Sequence, residues 1–134
     1  MTHEHLLKGH ALTLARALWA LALGAVAVLA LLPVEHLQLP VLSWWDKAQH
    51  ALAFAALTGS ALWLWDGKAT QVVAGMIAYG GAIELAQWTV GWRFAEWADF
   101  GADALGVAVA YAAMSVAKSF DRAGRDTLHS GQRH

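Results

Sequence analysis

Four long apolar runs divide the chain, at residues 11–32, 45–65, 71–90 and 99–117. A helix of ~20 residues crosses the ~30 Å hydrocarbon core of a bilayer, because each residue adds ~1.5 Å. Hydrophobic residues make up 58% of the chain and charged residues only 14%, whereas soluble domains carry ~25% charged residues. We therefore predict an all-α membrane protein, a single domain over residues 1–134 with four transmembrane helices.

The ends of the runs carry helix-stop and turn signals. Pro33 and Pro40, the only two prolines, bracket the first connector, and proline after a helix end stops the helix. Asp66-Gly67-Lys68 is a turn signal between the second and third runs. A cleaved signal peptide is the rival interpretation of run 11–32, but its apolar core should span only ~7–15 residues before a small-residue cleavage site. No such site follows, so we predict a retained span. Residues 118–134 are polar and are expected to form a fraying tail.

The distribution of lysine and arginine predicts the orientation. Seven of these residues lie on the side of the two termini and the second connector, against two on the other side. The seven are Lys8, Arg16, Lys68, Lys118, Arg122, Arg125 and Arg133; the two are Lys47 and Arg93. By the positive-inside rule, both termini are predicted to be cytoplasmic.

This topology gathers nine polar residues at the outer end of the bundle, and we take them as the candidate ligand-binding residues. They are Asp46, Lys47, His50, Glu84, Gln87, Arg93, Glu96, Asp99 and Asp103. The last three carboxylates fall at i, i+3 and i+7, on one helical face. A charge near mid-depth costs ~2.5–3.5 kcal/mol against lipid. The nine side chains are therefore predicted to face inward around one cup, roofed by the connector 91–98.

Eight tryptophans in so short a chain also point to a lipid–water boundary. Five lie at the level of the cup, as an interfacial belt would: Trp44, Trp45, Trp88, Trp92 and Trp97. Trp63 and Trp65 are predicted to be anchors at the inner interface. The small residues Gly80, Gly81 and Gly106 are predicted to allow close helix contacts.

Each polar residue of the cup also has a structural interpretation. Glu84 would pair with Lys47 or Arg93 only to fix helix register. His50 would be a hydrogen-bonded packing residue. Gln87 would bond to a neighbouring helix. Arg93 is an interfacial anchor or a clamp for an anion, and the sequence leaves both open.

A metal ion is the main alternative to an ionic network in the cup. His50 with Glu84, Asp99 and Asp103 would supply nitrogen and oxygen ligands suited to zinc or manganese. Lys47 and Arg93 would repel a divalent ion, and no His-Glu-x-x-His spacing occurs. We predict a salt-bridged, partly protonated network with no metal and no cofactor.

The absence of cysteine excludes disulfides and thiolate chemistry, and a net charge of −1 gives no basic surface for nucleic acid.

Two segments within residues 44–111 resemble motifs of the VanZ-like family. The first is Asp46-Lys47-x-x-His50-x-x-x-Phe54, and the second combines Glu84-x-x-Gln87, Arg93, Asp99 and Gly106. The resemblance implies a small helical membrane protein of the bacterial cytoplasmic membrane, in a family without an established general activity. The family's name comes from a member linked to resistance to the glycopeptide teicoplanin. Asp103 departs from the pattern, because the family commonly has asparagine there.

Three functions fit these observations. The first is binding or remodelling of an amphiphile, such as a membrane lipid or a lipid-linked ligand, at the outer face. Lys47 and Arg93 would then meet an anionic headgroup and the acids its amine or hydroxyl groups. The second is an enzyme acting on lipid-linked or cell-wall material, with Glu84 or His50 as general base. The third is a structural partner of other envelope proteins or of a second copy of the chain.

Overall fold

The computed structural model describes the backbone of residues 3–32, 43–91 and 96–131, and the side chains of residues 7–32, 47–91 and 96–125. This part of the chain forms four helices and confirms the predicted all-α class. They are α1 (His3–Leu31), α2 (Ser43–Leu64), α3 (Ala69–Val90) and α4 (Trp97–Gly131).

The inner boundaries of the helices follow the turn signals of the sequence. Gly67 and Gly91 have φ angles of 79° and 76°, in the left-handed region that glycine adopts without a steric penalty. The apolar runs predicted for α2, α3 and α4 begin at residues 45, 71 and 99, two residues after these helices begin in the structure. The prediction was wrong at the outer ends, since α1 begins at His3 rather than residue 11 and α4 continues to Gly131 instead of fraying after residue 117.

Three of the four helices are long and apolar enough to cross a membrane: Leu7–Leu31, Ala69–Val90 and Trp97–Arg125. Large apolar side chains on their outer surfaces have no protein neighbour to cover them, and Leu21, Leu85 and Leu105 each expose at least 60% of their surface. Apolar surface on this scale fits contact with lipid. Helix α2 is less apolar, and it packs most extensively against α4.

The contact between α2 and α4 is close because of Gly106. A Cβ atom at this position would lie 2.2 Å from the carbonyl oxygen of Ala51 and 3.0 Å from the backbone nitrogen of Ala55. Gly80 plays a similar part on α3, where a Cβ atom would lie 3.1 Å from Oδ2 of Asp103. The predicted close contacts at these two glycines are confirmed. Phe54 and Val107, each 1% exposed, fill the core below them.

Helix α1 is joined to the other helices by side chains that donate hydrogen bonds to backbone carbonyl oxygens. The four bonds run from Arg16 to Leu64 (3.1 Å), from Trp19 to Leu57 (2.9 Å), from Tyr79 to Leu23 (2.6 Å) and from Gln87 to Ala30 (3.0 Å). These bonds place the last turn of α1 beside the last turn of α3, and the middle of α1 beside the last turn of α2. The residues of the predicted cup therefore belong to one end of the bundle, and Arg16 to the opposite end.

Candidate functional site

The structure describes the side chains of seven of the nine candidate residues: Lys47, His50, Glu84, Gln87, Glu96, Asp99 and Asp103. Arg93 and Trp92 lie outside the described residues, as do the side chains of Asp46, Trp44 and Trp45. Six of these seven side chains are charged or titratable, and we call them the polar end: Lys47, His50, Glu84, Glu96, Asp99 and Asp103.

Lys47 on α2 joins two carboxylates at the start of α4. Its Nζ atom lies 2.8 Å from Oε2 of Glu96 and 3.0 Å from Oδ1 of Asp99. Glu96 precedes the helix, and its carbonyl oxygen accepts a hydrogen bond from the backbone N–H of Asp99. Asp99 lies in the first turn, where the helix dipole stabilises a negative charge. Lys47 therefore contacts Glu96 and Asp99 and not Glu84, which was one of the two structural alternatives for that acid. The other alternative, a pair of Glu84 with Arg93, lies outside the described residues.

His50 and Asp103 form a second contact one turn deeper. Nδ1 of His50 lies 3.0 Å from Oδ1 of Asp103, and the two side chains are only 12% and 2% exposed. The other carboxylate oxygen, Oδ2, is buried and has no hydrogen-bond partner in the structure. The two contacts place Glu96, just before α4, and Asp99 and Asp103 of α4 along the face that meets α2, as their i, i+3, i+7 spacing predicted.

Among the described residues, no lysine, arginine or histidine contacts Glu84 on α3 directly. Both of its carboxylate oxygens are buried and make no hydrogen bond within ordinary limits of distance and angle. The backbone N–H of Glu96 acts on it only weakly. Asp99, Asp103 and His50 all lie near enough to act on Glu84 electrostatically. Helix α3 thus adds a further carboxylate to a region that already has more acids than cations.

Gln87 faces away from these acids. Its Nε2 atom donates a hydrogen bond to the carbonyl oxygen of Ala30 on α1, and its Oε1 atom is buried without a partner. The amide therefore ties α3 to α1, which is the structural alternative that the sequence had left open for it.

An apolar groove of about 530 Å³ runs between α3 and α4 beside Glu84. Its lining consists of Gly81, Glu84, Leu85, Trp88, Trp97 and Phe100. Trp88 and Trp97 are 72% and 89% exposed and flank its opening. Sequence reasoning had not assigned Leu85 or Phe100 to a site. The signal was present, since residues 81, 84, 85 and 88 recur at i, i+3, i+4 and i+7 on one face of α3.

The opposite end of the bundle holds a second cleft, of about 410 Å³, between α1, α2 and α3. Trp65 lines this cleft, with its ring 4.9 Å from that of Trp19 and 5.4 Å from the guanidinium carbon of Arg16. Trp65, predicted to be an interface anchor, therefore packs partly against the protein. Trp63 is 71% exposed, as an anchor would be.

A surface ion pair links the turn after α2 to α4 at this same end. Lys118 donates a hydrogen bond to Asp66, and this contact lowers the pKa of the Asp66 carboxyl below its ordinary value. Asp66 is exposed, so water screens the pair and its contribution to stability is small.

Within the described residues, no three histidine, aspartate or glutamate side chains lie close enough together to hold a metal ion. Compared with known proteins, the chain matches no family model, no curated protein and no solved structure. The resemblance to the VanZ-like family accordingly stays a prediction. The fold and the site define a helical membrane protein with an acid-rich polar end beside an apolar groove.

Proposed function

We propose that the chain binds or remodels an amphiphile at the outer face of a bacterial cytoplasmic membrane. One observation carries this proposal: Glu84, whose carboxylate oxygens are buried without a hydrogen-bond partner, lines an otherwise apolar groove. An amphiphile has both an apolar chain and a polar headgroup, so it matches a groove of this composition. The exposed rings of Trp88 and Trp97 suit the lipid–water boundary at which a headgroup lies.

The proposal includes four membrane spans with both termini in the cytoplasm. Helix α2 has 22 residues, the same length as α3, and its lower apolar character comes largely from polar residues such as Lys47 and His50. Both side chains are paired with acids of α4, which lowers the cost of burying them in a membrane. The excess of lysine and arginine on the side of the termini supports this orientation.

Membership of the VanZ-like family is part of the same proposal, together with a role in the bacterial envelope and a link to glycopeptide resistance. Its support is the pattern of residues and their contacts. Lys47 and His50 of the first motif contact Asp99 and Asp103, in and beside the second motif. Residues far apart in the sequence would thus form one site.

The positions of the described hydroxyl groups favour a binding protein over an enzyme that uses a serine or threonine nucleophile. Ser60 and Thr89 donate hydrogen bonds to backbone carbonyl oxygens of their own helices, at 2.7 and 2.8 Å. Neither hydroxyl is paired with His50, whose Nδ1 atom contacts Asp103. An activated nucleophile requires a base within hydrogen-bond reach, and no described hydroxyl has one.

The test is native mass spectrometry of the full chain after extraction in a mild detergent. We expect one or more lipid adducts of defined mass that survive removal of the detergent. The variant Gly81→Leu should lose these adducts because its side chain fills the groove. Gly75→Leu, which places the same side chain in the cleft at the opposite end, should keep them. A wild-type protein that carries no lipid would contradict the proposed function.

A further inference from the structure

We infer that the groove between α3 and α4 selects a lipid whose headgroup carries a primary ammonium group, and that Glu84 accepts the hydrogen bond of this group. The inference rests on the proposed amphiphile binding and names the site and the headgroup class. The sequence had predicted that Lys47 and Arg93 would bind an anionic headgroup and that the acids would contact its amine or hydroxyl groups. The inference keeps only the contact between an acid and an amine.

Unused hydrogen-bond acceptors are the first line of support. Both carboxylate oxygens of Glu84, a residue that lines the groove, are buried without a hydrogen-bond partner. A buried carboxylate without hydrogen bonds or a counter-charge is costly, because its solvation is lost and not replaced. A group with several N–H donors and a positive charge would supply what these oxygens lack.

The charge balance of the polar end is the second line of support. Its four carboxylates are Glu84, Glu96, Asp99 and Asp103, and they face one lysine and one histidine. Asp46 and Arg93, whose side chains are not described, add one charge of each sign and leave the excess unchanged. The excess is negative, so the electrostatic complement is a cation.

The two described cations of the polar end are engaged with carboxylates. Lys47 contacts both Glu96 and Asp99, and His50 contacts Asp103. An anionic headgroup would have to displace one of these carboxylates and would add negative charge to the acids. The ammonium group of a headgroup would do neither.

The walls of the groove favour an organic cation attached to a chain. Leu85 and Phe100 offer apolar surface for an acyl chain, and the rings of Trp88 and Trp97 at the opening attract a cation through their faces. The carboxylate oxygens of Glu84 are buried, although the residue itself lines the groove. A rotation of the Glu84 side chain into the groove would bring them to the ammonium nitrogen.

The experiment compares three lipids with the same acyl chains in native mass spectrometry titrations of the full chain. All three carry a negatively charged phosphate. Phosphatidylethanolamine adds a positive charge with N–H donors, phosphatidylcholine adds the positive charge without N–H donors, and phosphatidylglycerol adds hydroxyl donors and no positive charge. We expect phosphatidylethanolamine to bind more tightly than either of the others by about tenfold, which is ~1.4 kcal/mol at 25 °C. The expectation follows from the strength of a charge-assisted hydrogen bond.

Variants separate the headgroup contact from the groove itself. Glu84→Gln keeps the size of the side chain and should reduce the preference for phosphatidylethanolamine to near unity. Asp66→Asn, a matched loss of one carboxylate at the opposite end, should keep it. Gly81→Leu should weaken all three lipids together, and a circular dichroism melt of each variant shows that it remains folded.

Three outcomes would overturn the inference. Equal binding of the three lipids would do so, as would a preference that survives Glu84→Gln in a folded protein. In both cases bound lipid would leave the proposed function standing. A dimer that carries no lipid and dissociates in Gly81→Leu would show that a second copy of the chain covers the groove, which contradicts the inference and the proposed function together.

Discussion

His50 on α2 contacts Asp103 on α4 at 3.0 Å, through Nδ1 and Oδ1, in a part of the bundle where both side chains are largely buried. This contact joins the helices that pack most extensively. Oδ2 of Asp103 and both carboxylate oxygens of Glu84 remain buried without a hydrogen-bond partner beside this contact.

The His50–Asp103 contact predicts a difference between neighbouring positions of α2. His50→Ala should lower the free energy of unfolding by ~1–3 kcal/mol, since it leaves both oxygens of a buried carboxylate without this partner. Gln49→Ala, at the adjacent exposed position, should change it by less than ~0.5 kcal/mol. Unfolding in mixed micelles, followed by circular dichroism, measures both. Equal effects would show that the contact contributes nothing to stability.

Two glycines of α4 should respond in opposite directions to the same substitution. Gly106→Ala places a Cβ atom 2.2 Å from a carbonyl oxygen of α2, so it should destabilise the bundle by ~1–3 kcal/mol or more. At Gly101 nothing lies within 4 Å of the added carbon, and Gly101→Ala should stabilise the helix by ~0.5–1 kcal/mol. Thermal unfolding in detergent distinguishes them, and a stable Gly106→Ala protein would contradict the close packing of α2 and α4.

The Asp66–Lys118 pair predicts a pH dependence at the opposite end of the bundle. The lowered pKa of Asp66 means that the pair stabilises the fold above the unfolded pKa of this carboxyl, and that the contribution is lost as the pH falls through the folded pKa. Lys118→Met should return the pKa of Asp66 towards its ordinary value in a carbon-detected NMR titration. Arg125→Met removes the cation that contacts Asp121 instead and should leave Asp66 unchanged. A titration of Asp66 that is the same in both variants would contradict the pairing.

The topology predicts where reporter fusions will be active. Fusions after Leu32 and after Gly91 should report the outer side, and fusions after Gly67 and Ser130 the cytoplasm. Paired reporters with opposite requirements, one active only outside and one only inside, provide the control. A cytoplasmic result after Gly91 would place the polar end on the wrong side of the membrane for the proposed function.

The sequence predicted the helical class and the middle helix boundaries because apolar runs and turn residues act locally. It missed the true start of α1 and end of α4 because polarity was taken to mark the end of a helix. Polarity marks only where a helix would leave the hydrocarbon. The polar segment after Lys118 continues as helix, and its Arg125–Asp121 contact at i, i+4 is of the kind that supports an exposed helix.

The sequence predicted which residues share a face of α4 but not which partner each residue meets. From the sequence, Lys47 could have paired with Glu84 or with several other acids. The rotation of α2 relative to α4 determines that it contacts Glu96 and Asp99. Glu84 and Gln87 lie three residues apart, and the sequence predicted that both would face the cup. On α3 they turn towards different neighbours, so one lines the groove and the other bonds to α1.

The most direct test of lipid binding in the groove is photo-crosslinking in the native membrane. Cells that incorporate a fatty acid carrying a diazirine label all of their lipids without choosing a headgroup, and peptide mapping after irradiation locates the contacts. We predict that labels concentrate on residues 81–88 and 97–100 and decrease there in Gly81→Leu. Labels spread evenly over lipid-exposed positions, including Leu14 and Leu21 of α1, would contradict a lipid site between α3 and α4.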